Sequence, residues 1–192
     1  MSANGLSGLW RGSHREVVVE RRAVDAIAVV AVVSCLALAK EVRLYTAWSP
    51  APFTLQTLFV YIAGVSLGPG LAATALGAYF LLGGIGLPMF TASLFGPTTG
   101  YLMGFVVAAR LVSVLTHRVE RPGTVRMVLS MAAGGFVLLF FGSAYLGLFC
   151  GYGPWAAATQ GALLFLPAEA AKIAAAVAFC RAYRGRLRAL FP

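Results

Sequence analysis

FTLQTLFVYIAGVSLGPGLAATALGAYFLLGG, residues 53–84, contains no Asp, Glu, Lys or Arg. It sits inside a longer charge-free run from Leu44 to Ala109, far beyond the ~20 apolar residues that one membrane helix needs. The stretch is too long for a single span and is interrupted at Gly68-Pro69-Gly70. Proline there has no N–H to offer a helix and clashes with the preceding turn, so two short helices joined by a tight turn are expected.

Composition agrees with that reading. Of 192 residues, 60% are hydrophobic and 11% charged, with a mean hydropathy of +0.85; soluble domains carry about a quarter charged residues. The chain therefore reads as an integral membrane protein, of a length that suits one helical bundle. Upstream of the central stretch, Ala23–Ala39 makes a first span with Asp25 near its start. Its Arg-rich front and Ala37-Leu38-Ala39 also have the form of a signal peptide, which the long apolar run and the further spans disfavour. Lys40–Pro52 reads as a polar, proline-bearing loop.

Downstream, Ile85–Pro97 is a loop rich in Gly, Pro, Ser and Thr, Thr98–Thr116 a fourth span, His117–Thr124 a charged loop and Val125–Phe149 a fifth span. Gly151-Tyr152-Gly153-Pro154 turns the chain. Trp155–Phe165 is too short to cross alone and is expected as a short surface or re-entrant helix. Pro167 suits a first helical turn, and Ala168–Tyr183 completes the sixth span. The expected fold is an all-α bundle of six transmembrane helices. Its membrane domain, 23–184, lies between a basic N-terminal segment, 1–22, and a basic tail, 185–192.

The net charge of +9 is distributed for a membrane, not for nucleic acid. Arg11, Arg15, Arg21 and Arg22 precede the first span, Arg118, Arg121 and Arg126 surround the central loop, and Arg181, Arg184, Arg186 and Arg188 close the chain. Basic residues beside spans stay on the cytoplasmic side, where anionic lipid heads neighbour them. With six spans both termini are cytoplasmic, and only Lys40 and Arg43, beside Glu41, fall outside. No basic domain with interleaved aromatics stands apart from the spans, so nucleic-acid binding is not expected. Cys35, Cys150 and Cys180 show no ligand spacing, and no metal or cofactor is expected.

One ionisable pair breaks the apolar pattern. Glu169 and Lys172 are isolated in FLPAEAAK, with no other charge between Arg126 and Arg181. Desolvating charge is costly unless it is paired, so the pair marks a functional site near the outer face or, more plainly, a Glu–Lys helix pair. Small-residue stripes, Ala31/Cys35/Ala39, Gly64/Gly68, Gly100/Gly104/Ala108 and Ala170/Ala174/Ala178, allow close helix packing within the bundle or against another subunit.

Pro52-Phe53-Thr54-Leu55-Gln56-Thr57-Leu58, Gly68-Pro69, Gly86-Leu87-Pro88-Met89-Phe90, Gly96-Pro97-Thr98-Thr99-Gly100-Tyr101-Leu102 and Phe165-Leu166-Pro167-Ala168-Glu169-Ala170-Ala171-Lys172 occur in this order. Together they closely resemble the BioY family, the biotin-binding S components of energy-coupling factor transporters, over roughly Ala23–Tyr183. The resemblance implies a high-affinity substrate-capture subunit of the bacterial cytoplasmic membrane, of six-helix S-component fold. Such a subunit takes biotin from outside and delivers it inward with a transmembrane coupling subunit and two ABC-type ATPases. Some members are proposed to work without the energising module. Biotin is then a transported substrate, not a cofactor.

On that resemblance, Glu169 accepts ureido N–H bonds, while Lys172 donates to the ureido carbonyl or pairs with the vitamin's carboxylate. Thr98, Gly100 and Tyr101 let backbone approach the ligand and place a ring over its apolar part, although Tyr101 also suits an aromatic belt. Gln56 and Thr54 serve helix entry or ligand contact. Arg43 and Tyr45 form a lid that meets the carboxylate, or a solvated loop. Ala31, Cys35 and Ala39 approximate the stripe that docks the coupling subunit. The sequence departs from the family in two places. Glu169 stands where Asp is usual, and the short Thr91–Phe95 segment lacks the expected Asn, which Thr91 or Ser93 would have to replace.

Two other classes fit less well. A membrane enzyme needs clustered acids or histidines, whereas Glu16, Glu20, Asp25, Glu41, Glu120 and Glu169 are scattered and His14 and His117 lie outside the spans. An autonomous channel or carrier predicts more intramembrane polar groups or inverted repeats.

Overall fold

A β-hairpin, not a loop, follows the first helix. The computed structural model describes residues 6–86, 96–119 and 122–190, with the side chains of 6–19 and 184–190 left aside. Helix α1 runs Leu6–Glu41, so the basic N-terminal segment from Leu6 on is the beginning of the first span's own helix. Strand β1, Arg43–Thr46, pairs antiparallel with β2, Ser49–Thr54, in the register Arg43↔Thr54 and Leu44↔Phe53. Pro50 and Pro52 bar this segment from a helix interior, and a strand tolerates them where their missing N–H groups face no partner.

The decisive stretch then folds as expected, into α2, Gln56–Ser66, and α3, Pro69–Gly84. Gly68 caps α3 with extended backbone and Pro69 occupies its first turn, where the absent N–H costs nothing. The chain continues as α4, Thr99–His117, α5, Thr124–Cys150, α6, Pro154–Gly161, a 3₁₀ turn Leu163–Phe165, and α7, Leu166–Leu190. Gly151 ends α5 at φ 70°, a left-handed C-cap, and donates its N–H to Gly147. As expected, α6 is too short to cross alone, and Pro167 sits in the first turn of α7.

Among the described residues, four segments are long and apolar enough to span a membrane: Glu20–Glu41, Thr99–His117, Thr124–Cys150 and Pro154–Tyr183. The second and third expected spans are shorter. At ~1.5 Å per residue, α2 and α3 reach only about 16 and 24 Å, against a hydrocarbon core of ~30 Å. Strand β2 leads almost directly into α2 and buries Ser49 and Ala51.

Helix α4 lies at the centre, packed on α2, α3 and α5, and α7 packs on α2 and α5. Glycine permits these approaches. A Cβ at Gly64 of α2 would come within 2.8 Å of the Val112 Cβ, and one at Gly134 of α5 within 2.6 Å of a Val112 methyl. The stripe Gly100/Gly104/Ala108 is therefore internal packing. The stripe Ala170/Ala174/Ala178 is exposed on α7. The α1 stripe does not lie on one outward face: Ala31 is exposed and Cys35 half-buried, but Ala39 is buried within the chain. Buried Ala39 therefore presents no surface for another subunit.

The two ends of the bundle differ in chemistry. At one end lie the turn between α2 and α3, the close of α4 and the start of α5. Ser113 donates its hydroxyl to the Leu67 carbonyl at 2.6 Å, and Arg126 Nε donates to the Leu115 carbonyl at 2.7 Å. At the other end, the hairpin, the segment 96–98, α6 and the start of α7 converge.

Candidate functional site

At this end the hairpin, the segment 96–98, the 3₁₀ turn and the start of α7 enclose, with α2, α4 and α5, a cavity of about 290 Å³, at the lower edge of the roughly 300–1,000 Å³ usual for small-molecule sites. Its wall is apolar where Leu102, Phe105, Leu138, Leu139 and Phe165 face it. Phe165 is fixed by stacking on Phe53 of β2, ring centroids 4.3 Å apart, and it touches the Tyr101 ring at 5.7 Å. The polar lining comprises Lys40, Arg43, Thr54, Gln56, Thr57, Thr98, Glu169 and Lys172. Among the described residues three bases line the cavity against one acid, and Glu41 offsets Arg43 from outside the lining, so a net positive charge remains for an anionic guest.

Glu169 and Lys172 meet as their spacing requires, one turn apart on α7. Lys172 Nζ lies 2.7 Å from Glu169 Oε1, with both side chains nearly buried, at 11% and 6% exposure. Helix α2 completes the arrangement. Thr57 donates its hydroxyl to Glu169 Oε1 at 2.9 Å and Tyr61 donates to Oε2 at 2.6 Å. The carboxylate thus holds three donors, leaving about one of its roughly four acceptor positions. Lys172 has spent one of three N–H bonds on Glu169, and it lines the cavity with the others. The pair is not a simple two-residue helix contact, because two hydroxyls from a second helix fix its acid.

Thr57 and Tyr61 escaped the sequence reading. The signal was their i,i+4 spacing, which puts both hydroxyls on one face of an otherwise apolar helix. Lys40, buried at the end of α1, and Phe165 also line the cavity and were not singled out as site residues.

The other expected residues divide. Gln56 lines the cavity and is buried; its Nε2 donates to the Tyr79 hydroxyl at 2.6 Å and to the Leu36 carbonyl at 3.5 Å, while its Oε1 accepts from Thr54 at 3.2 Å. It therefore ties α1, α2 and α3 together at the cavity wall, and the N-cap of α2 is Leu55, without a side-chain cap. Tyr101 and Thr98 line the cavity, and Tyr101 is anchored by its hydroxyl to the Gly161 carbonyl. That inward anchoring is not the posture of a membrane-belt residue.

Gly100 does not line the cavity. It is buried against α5, where a Cβ would overlap Tyr145 and stand 2.5 Å from the Phe141 carbonyl. Its lack of a side chain serves helix contact, not ligand approach. Arg43 and Tyr45 reach the cavity from β1, and Arg43 makes long contacts to the Tyr45 hydroxyl (3.4 Å) and Glu41 (3.5 Å). The Tyr45 contact chiefly, with Glu41 adding, holds the exposed guanidinium's pKa above its usual value. Thr91 and Ser93 lie outside the described residues. Among the described residues, no cluster of His, Cys, Asp or Glu is arranged to hold a metal ion.

Comparison with known proteins follows the same lines. The sequence model of the BioY family matches residues 13–189. The biotin transporter BioY of Rhizobium etli is 34% identical over 146 residues, which cover 69% of this chain and 78% of that protein. A probable biotin transporter BioY of Pyrococcus horikoshii is 32% identical over 142 residues, 71% of this chain and 82% of that one. The biotin transporter BioY of Thermotoga maritima is 36% identical over 104 residues, a match spanning 48% of this chain and 62%, under two thirds, of its own length. Among solved structures, the S-component for biotin from an ECF-type ABC transporter superposes with a TM-score of 0.76 over 88% of this chain and 93% of that one, at 21% identity. At that identity the likeness speaks for the fold, a multi-helix S-component bundle.

Proposed function

The chain belongs to the BioY family, a multi-pass membrane protein of S-component fold, and from that membership we propose that its cavity captures biotin for uptake. The observation that carries this reading is the buried Glu169–Lys172 pair, clamped by Thr57 and Tyr61, opening onto a wall of Leu102, Phe105, Leu138, Leu139 and Phe165. Biotin offers a ureido ring with two N–H donors and a carbonyl, an apolar thiophane and a carboxylate tail. Lys172 supplies N–H to the ureido carbonyl, and the last acceptor position of Glu169 takes one ureido N–H. The thiophane lies on the aromatic and aliphatic wall beneath Tyr101. The carboxylate faces Lys40 and Arg43, where the surplus of positive charge stands.

In this reading the vitamin passes through unchanged, and the protein is a carrier subunit rather than an enzyme. Delivery inward requires the energising partners of an ECF-type system, a transmembrane coupling subunit and two ABC-type ATPases. The outward parts of the α1 stripe, Ala31 and Cys35, are the part of the chain that suits such docking. The membrane is the cytoplasmic one. Arg118 and Arg126 gather at the end of the bundle away from the cavity, which by the positive-inside rule turns the cavity outward and both termini inward.

The test is a calorimetric titration of the purified chain, without ATP, against biotin, thiamine and riboflavin. Saturable one-site binding of biotin alone is expected; equal binding of the three, or none of biotin, would sink the assignment. A second measurement locates the carboxylate. Arg43→Gln should weaken biotin by no more than about fivefold, because exposed charge pairs contribute about 0–1 kcal/mol, and it should leave the affinity for biotin methyl ester unchanged. An equal loss for acid and ester would detach Arg43 from the carboxylate.

A further inference from the structure

Arg110 is a charge that the cavity does not use. It lies in α4, seven residues before the terminal His117, in a segment apolar enough to cross a membrane. Its side chain is exposed and, among the described residues, has no hydrogen bond or ion pair. The same face carries Met103 and Val107, seven and three residues earlier, exposed by 45% and 43%. About two turns beyond Arg110 come His117 and the exposed Arg118, at i+7 and i+8 on that face. Arg126, bonded to the Leu115 carbonyl, adds positive charge at the same end of the helix.

At ~1.5 Å per residue, the Arg110 Cα lies about 10 Å inside the end of a helix about 28 Å long, which matches a hydrocarbon core of ~30 Å. An arginine at that depth is costly unless its head is satisfied, and its long stem lets the guanidinium rise toward the interface. The guanidinium fork fits phosphate oxygens in bidentate fashion. Direction matters as well. A lipid whose phosphate is held at Arg110 runs its acyl chains toward the middle of the bilayer, which is where Val107 and Met103 offer an apolar track.

We propose that Arg110 on α4 and Arg118 at its C-cap form a binding site for an anionic phospholipid of the leaflet at the basic end of the bundle. The occupant is a lipid, and not a protein carboxylate, because the exposed apolar track and the charge lie in the order that one phospholipid presents. This site lies on the exposed face of α4, whereas Leu102 and Phe105 of the same helix are buried and line the cavity, and it does not depend on what the cavity binds.

The test is native mass spectrometry of the full chain in neutral detergent with added phosphatidylglycerol or phosphatidylcholine. The wild type should retain phosphatidylglycerol adducts preferentially. Arg110→Leu should lower them about tenfold, to the phosphatidylcholine level, as loss of a charged hydrogen bond implies. Arg110→Lys, which keeps the charge but not the fork, should fall between. Because Arg110 faces outward, the Leu variant should keep the thermal transition and cavity titration of the wild type, which serve as the folding control. A wild type without lipid preference, or a Leu variant that keeps it, would overturn the proposal. So would a Leu variant that loses only a co-purifying protein chain in all-phosphatidylcholine nanodiscs, since that would put a protein carboxylate on Arg110.

Discussion

Lys172→Met should raise the dissociation constant for biotin about a hundredfold, as measured by calorimetric titration of the purified protein. The substitution removes a nearly buried cationic N–H donor of the cavity, and a hydrogen bond from a charged group contributes about 1.5–3 kcal/mol. It also leaves Glu169 nearly buried with only the neutral hydroxyls of Thr57 and Tyr61 for company. Breaking a buried ion pair from one side costs about 3–5 kcal/mol, so the single variant should also melt earlier. The double variant Lys172→Met/Glu169→Gln removes both charges together, and it should recover much of the thermal stability. If the pair only braces α7, binding recovers with stability. If the pair holds the vitamin, binding stays lost while the melting point returns, and that divergence is the expected result.

The clamp on Glu169 also gives a physical meaning to the length of its side chain. Both carboxylate oxygens are engaged by hydroxyls from α2, at 2.9 and 2.6 Å. A side chain shorter by one carbon would draw the carboxylate back from α2 toward its own helix. Thr57 and Tyr61 therefore match the reach of a glutamate at this position.

Much of this architecture could be read from residue chemistry, and the failures have specific causes. Gly68-Pro69 broke the charge-free stretch where α3 begins, because proline's constraints act locally whatever surrounds them. Glu169 and Lys172 stood out because an isolated charge in an apolar run has few inexpensive places to be. The hairpin at 43–54 was invisible by comparison. Strands of four and six residues leave little periodicity, and Pro50 and Pro52 read more simply as a loop. Thr57 and Tyr61 were missed for another reason. Single hydroxyls are common in apolar helices, and only the third dimension shows that these two converge on one carboxylate from another helix. Gly100 was misassigned because a glycine after a Gly-Pro turn looks the same whether ligand or helix approaches it.

That reassignment carries the second large effect. Gly100→Ala should lower the thermal transition of the ligand-free protein, because the new methyl would meet Tyr145 and the Phe141 carbonyl, which is 2.5 Å from the added Cβ. Part of the obstruction is backbone, so no rotamer change relieves it, and α4 and α5 must move apart. Overpacking of this kind costs about 1–3 kcal/mol. Gly142→Ala offers the instructive contrast. Its Cβ would run into the Tyr101 ring, a side chain that lines the cavity and is pinned through its hydroxyl to Gly161. There the ring, not the helix, has to give, and biotin affinity should fall together with stability. Gly100→Ala should instead lose chiefly stability, with a smaller loss of affinity than Gly142→Ala at temperatures where it is folded. Ligand contact at Gly100 would require the opposite pattern, affinity lost with the melting transition unchanged, and that result would return Gly100 to the site.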